Sequence, residues 1–237
     1  MKNKILIIMT IFSVNVFSQD SLLVIENSTQ TRIFSLTPRS KKVSKVNGLT
    51  FGLGVNSLID SNNSIKKING INLEVNLISV LLMMFADPSK INFSENPDYS
   101  LNGLNISSGN FNNAKINGIN ISGFNLSNSN NGISISGFYN YSETINGLHI
   151  SGLSNYSENS NGLNIALFNE SEIMNGMQIG ACNQSNTIKG LQIGLYNKST
   201  NHIGIQIGLF NFTNKIKGLQ LGFWNVNGKR SMPILNF

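Results

Sequence analysis

The sequence predicts an all-β chain whose body is a β-solenoid of 14–15-residue coils. Three observations carry this reading. Glycines recur at Gly103, Gly118, Gly132, Gly147, Gly162, Gly176, Gly190, Gly204 and Gly218, always 14 or 15 residues apart. Each opens a phrase such as GINISGFN, GLQIGLYN or GLQLGFWN, in which apolar and polar residues alternate with the period of two that marks a strand with one buried face. Every feature of the phrase returns in each copy. An antiparallel barrel or meander alternates up and down strands, so its pattern would repeat every second copy; a solenoid repeats at every coil. The Asn-Gly pairs at 117–118, 131–132, 146–147, 161–162 and 175–176 favour the hairpin alternative. Later copies replace that Asn with Lys189, Ile203 and Lys217, and a β-branched Ile is a poor turn residue, so the solenoid is preferred.

The elements follow in order along the chain. Residues 1–18 read as a signal peptide: Lys2 and Lys4 precede the apolar run Ile5 to Val16, and the small Ser18 stands before Gln19. That run is too short to cross a bilayer as a helix. Residues 19–45 form an N-terminal segment with much of the early positive charge, at Arg32, Arg39, Lys41, Lys42 and Lys45. Residues 46–102 hold two divergent copies, at Gly48 and Gly70, followed by an inserted flap. Its apolar stretch Leu77 to Ala86 (LISVLLMMFA) is again too short to span, and is expected as a buried strand or helix. Residues 103–228 are the regular array. Residues 229–237 are a C-terminal cap, in which Lys229, Arg230 and Pro233 guard the open sheet edge against further pairing.

Within each copy, the residues one, three and five after the glycine are apolar, as in Leu191, Ile193 and Leu195, and are expected to form the buried face. The residue two after it is polar and expected to face solvent. This column comprises Asn105, Asn120, Ser134, His149, Asn164, Gln178, Gln192, Gln206 and Gln220, and is the candidate polar binding face. A closing Asn (Asn110 through Asn225) and a Ser or Thr two residues later read as a corner, since both side chains bond local main chain. An aromatic often precedes that Asn; Cys182 takes the same slot and reads as a small packed hydrophobe.

Composition agrees. Asn supplies 40 of 237 residues and charged residues are only 12%, about half the usual share. Ile, Leu, Val and Phe are too frequent for a disordered chain, and one Cys excludes disulfide scaffolds and thiolate zinc cages. The net charge of +6 falls to +4 once Lys2 and Lys4 are removed with the signal peptide, leaving 15 basic against 11 acidic residues. The remaining bases sit towards the two ends, so no continuous basic face for nucleic acid is expected.

The tandem GLQIGLYN-type phrases and the ending GLQLGFWNVNGKRSMPILNF resemble a Bacteroidetes- and spirochaete-type family of bacterial surface-repeat proteins. The resemblance covers about residues 46 to 237. It implies export to an envelope or surface location (cell surface, outer membrane or periplasm of a Gram-negative-type bacterium) and brings no ligand, cofactor or catalytic residue.

Residues with chemistry are few. Glu143 and Glu158 lie one repeat apart, and stacking would bring them close enough for a paired-carboxylate site. No third polar catalytic group recurs beside them, so solvated corners are the expected reading. His149 and His202 occupy different repeat positions and form no metal pair. No phosphate loop or other cofactor motif occurs. The expectation is a non-enzymatic exported repeat protein with a structural, adhesive or binding role, associated with glycan, protein or outer membrane. An outer-membrane β-barrel, suggested by terminal Phe237 and the amphipathic strands, and a carbohydrate-binding or carbohydrate-active module are the alternatives.

Overall fold

A computed structural model describes residues 30–37, 43–53, 66–76, 97–111 and 113–237. The signal-peptide reading, the apolar stretch Leu77 to Ala86 and Lys41 and Lys42 lie outside the described residues. The fold is the all-β solenoid. The strands are β1 (Gln30–Thr37), β2 (Val43–Gly52), β3 (Lys66–Glu74), β4 (Tyr99–Ser107), β5 (Asn110–Phe111), β6 (Ala114–Ser151), β7 (Ser154–Ile165), β8 (Phe168–Ile179), β9 (Cys182–Val226) and β10 (Ser231–Asn236). β6 and β9 are continuous ribbons that wind through more than one coil.

Pairing is parallel from β1 to β9, and the register locks equivalent positions together: Gly48 on Gly70, Gly70 on Gly103, Gly103 on Gly118, and Gly147, Gly162, Gly176 and Gly190 in succession. This parallel stack replaces the antiparallel barrel alternative. The two divergent copies are full members of it, and β1 adds a further strand outside β2. β3 and β4 pair in unbroken register, with Glu74 opposite Ser107 and Lys66 opposite Tyr99, although they are separated in the chain by residues 75–98.

The coil glycine explains the spacing. Eleven of them, Gly48, Gly70, Gly103, Gly118, Gly132, Gly147, Gly162, Gly176, Gly190, Gly204 and Gly218, have φ between +115° and +148°, a region closed to side chains bearing a Cβ. They also stack in near contact. A Cβ on Gly162 would lie 2.1 Å from the carbonyl oxygen of Gly147, and one on Gly190 only 1.8 Å from that of Gly176. The Asn-Gly pair is therefore the middle of a strand and makes no hairpin.

β10 closes the end by pairing antiparallel to the last turn of β9. Pro233 falls at a register shift, and the next residue, Ile234, takes φ 65° with its side chain in solvent. Arg230 holds the turn by donating to the main-chain oxygen of Phe237 at 2.5 Å, with its guanidinium 4.0 Å from the centre of the Phe237 ring.

Gly162→Ala should lower stability by about 2–3 kcal/mol, because it adds a clash to a forbidden φ. Gly137→Ala is the control: its added Cβ would meet Gly123 at an ordinary 3.4 Å, at a φ open to alanine. Urea unfolding of the two variants checks this, and equal costs would contradict the close-stacking account.

Candidate functional site

Two sets of side chains are exact repeats, and the structure exchanges the places expected for them. Numbering each coil from its glycine, the +2 column points into the coil. Asn105, Asn120, Ser134, His149, Asn164, Gln178, Gln192, Gln206 and Gln220 are all 0–1% exposed. The expectation of a solvent-facing polar binding surface is corrected: this column is the core. Conversely, the +1 and +3 columns, expected inside, lie outside; Ile119, Ile121, Ile205 and Ile207 are each about two-fifths exposed. A period of two places +1 and +2 on opposite faces but does not say which face is enclosed.

Enclosure of the amides is possible because most of them find partners in a neighbouring coil. Gln192 donates to Gln178 at 2.9 Å, Gln206 to Gln192 at 2.8 Å and Gln220 to Gln206 at 2.7 Å. Asn236 of β10 completes this ladder by donating to Gln220 at 2.9 Å. The closing Asn residues form a second internal ladder, with Asn169, Asn183, Asn197 and Asn211 each donating to the next at 2.7–2.9 Å. The same Nδ2 groups also reach main-chain oxygens of Ile179, Ile193, Ile207 and Leu221. The sequence reads these Asn residues as corners bonding local main chain; in the structure they are buried and bond mainly from coil to coil, and among the described residues no Asn has positive φ. The apolar part of the interior is the −2 column, which includes Ile68, Leu101, Ile116, Ile145, Met174 and Ile188.

The +2 ladder changes direction along the rod. Asn72 and Asn105 donate forward to Asn105 and Asn120, and Asn120 donates to Ser134, whereas the Gln residues donate backward. His149 and Asn164 fall at the junction. There His149 Nε2, Ser151 Oγ, Asn155 Oδ1, Ser157 Oγ and Asn164 Oδ1 are buried without a hydrogen-bond partner. His149 touches Asn140 through Nδ1 at 3.1 Å. Burial lowers its pKa to about 4, opposed in part by the main chain of Asn146. His202 replaces an aliphatic residue in the −2 column, between Ile188 and Ile216. Burial lowers it to about 4 as well, and the main chain at Ile205 and Gly190 offsets only part of that shift.

Outside, the Asn residues before each glycine form a third ladder. Asn69, Asn102, Asn117, Asn131, Asn146, Asn161 and Asn175 each donate to the preceding coil at 2.7–2.9 Å. Glu143 and Glu158 do come together: Glu158 raises the pKa of Glu143, second to burial, and Asn128 donates to Glu143 at 2.7 Å. The two carboxylates and the amide stand on an open corner and not in an enclosed site. Among the described residues no group of three His, Cys, Asp or Glu side chains could hold a metal ion. A cleft of about 420 Å³ beside the cap is lined by Lys215, Lys217 and Lys229 with Asn201, Ile203 and Phe237. Cys182 is half-buried and unpaired.

Compared with known proteins, the chain matches no family model, no curated sequence and no solved structure.

Two outcomes follow from this interior. Asn183→Ala removes the links to Asn169, Ile193 and Asn197 together, and should cost about 3 kcal/mol in urea unfolding. The histidines make the rod sensitive to acid. Each is neutral in the fold but takes up a proton in the unfolded chain below its ordinary pKa of 6.5. Stability should therefore fall as pH drops from 6.5 towards 4 and level off below, by about 3 kcal/mol per histidine. His149→Gln, which matches the neighbouring column, should remove about half of that slope; an unchanged slope would contradict the assignment.

Proposed function

We propose that this chain is an exported repeat protein of the bacterial cell envelope, a non-catalytic rod with a structural or adhesive role exercised through its side. The observation that carries this reading is the outer face of the coils. All 22 residues at positions +1 and +3 of the eleven stacked coils, from Leu49 and Phe51 to Leu219 and Leu221, are apolar. Solitary exposed hydrophobes are ordinary, but an unbroken apolar strip of this length marks a contact surface. The signal-like residues 1–18 and the resemblance to surface-repeat proteins support export. The buried +2 column offers no polar binding face, so a carbohydrate-binding role would fall to the outer Asn ladder instead.

Cell fractionation with protease shaving tests the reading. The protein is expected in the envelope fraction, with its peptides released from intact cells by added protease. Recovery in the cytoplasm, with its amino terminus uncleaved, would overturn it.

A further inference from the structure

We propose that two copies of this chain pack face to face through the +1 and +3 columns, as a two-fold dimer. The proposal rests on the reading of the rod's side as its working surface and names what covers it.

The shape of the face comes first. The register between β2, β3, β4 and β6 runs without a shift, as it does from β8 into β9. Equivalent side chains therefore stand in straight rows at the strand spacing of about 4.8 Å. Side-chain ladders, such as the three Asn and Gln ladders here, oppose the twist of a stacked sheet. A row of Ile and Leu at that pitch leaves grooves of the same pitch, and another copy of the same face has ridges that fit them. Identical faces of stacked strands interdigitate in this way as dry interfaces.

The area is adequate. Ten steps between eleven coils make a face about 48 Å long; two columns about 6.6 Å apart, with their side chains, make it about 14 Å wide. Each copy would bury about 700 Å², close to the roughly 800 Å² per partner of a standard stable interface. The two columns hold no charged or polar residue to desolvate. The bordering amide ladder and exposed lysines such as Lys115 and Lys189 supply a polar rim.

Glutamates beyond the lysine-bearing rim argue against an anionic lipid surface: the corner past the amide ladder carries Glu143, Glu158 and Glu172 in successive coils, which such a leaflet would repel. The other exposed apolar region, the aromatic corner, is irregular: in its column Tyr139 is followed by Ser154, and Phe168 by Cys182, so it lacks the matching rows.

Sedimentation equilibrium on the purified chain tests the proposal, with dimers expected at a Kd of about 1 μM or tighter. Ile133→Lys with Ile205→Lys, both outward, should leave the β-type circular dichroism unchanged and weaken association about tenfold or more. A second readout avoids any folding defect: Ile150→Cys, in the sixth of the eleven coils and so opposite its own copy in either two-fold arrangement, should in a Cys182→Ser background give a covalent dimer with a short bifunctional maleimide. Wild-type chain that stays monomeric, double-lysine chain that dimerises as well as wild type, or absent cross-linking would each overturn the proposal. Binding of monomers to phosphatidylcholine vesicles would make lipid the occupant and overturn it too. Envelope location is read separately, so an envelope monomer defeats only the dimer and a cytoplasmic dimer defeats only the proposed function.

Discussion

The side-chain amide stacked on an identical amide one coil away is the interaction on which this rod depends. An amide buried without partners costs more than most side chains can return. Stacking at the strand spacing removes that cost, because each donor meets the acceptor of the coil beside it. In the last coils each Gln and each closing Asn is tied both to its own kind and to main-chain oxygens. Aligned amides also polarise one another, so a long ladder strengthens its members. No coil has this in isolation, which is why the sequence repeats so faithfully.

Two further features follow from a polar interior. The coil glycines must stay bare, since the carbonyl of the preceding glycine sits where a Cβ would be. The second interior glycine, in the coils from Gly180 to Gly222, makes room for an Asn amide: a Cβ on Gly194, Gly208 or Gly222 would lie 2.6 Å from the Nδ2 of Asn183, Asn197 or Asn211. The ladders also have a polarity, and where the +2 ladder reverses, around His149 and Asn164, buried polar atoms are left without partners. That junction and the polar members of the −2 column, Asn130, Ser160 and His202, are where the interior departs from its own rule.

The architecture was legible in the sequence because a stacked fold repeats every position at every coil, and the glycine, the closing Asn and the alternation all do. The facing was not, because alternation alone is symmetric between inside and outside, and hydrophobicity favours the wrong choice. A volume signal was nevertheless present. Where position +2 is Gln (Gln178, Gln192, Gln206, Gln220), position +4 is Gly; at Asn105, Asn120, Ser134 and His149 it is Ser, and at Asn164 it is Ala166. A large residue matched to a small one is what a shared, closely packed space requires. Solvent would impose no such pairing. The candidate polar face was thus correctly grouped and wrongly faced, while the pairing of Glu143 with Glu158 followed directly from repeat spacing.

The central claim, a dry polar interior under an apolar exterior, is tested most directly by hydrogen exchange of side-chain amides in the NMR spectrum. The Nε2 protons of Gln178, Gln192, Gln206 and Gln220 should exchange far more slowly than free glutamine, with protection comparable to the backbone amides of β9. Exchange of these groups at the free rate beneath a protected backbone would mean that they face water, and would contradict the account.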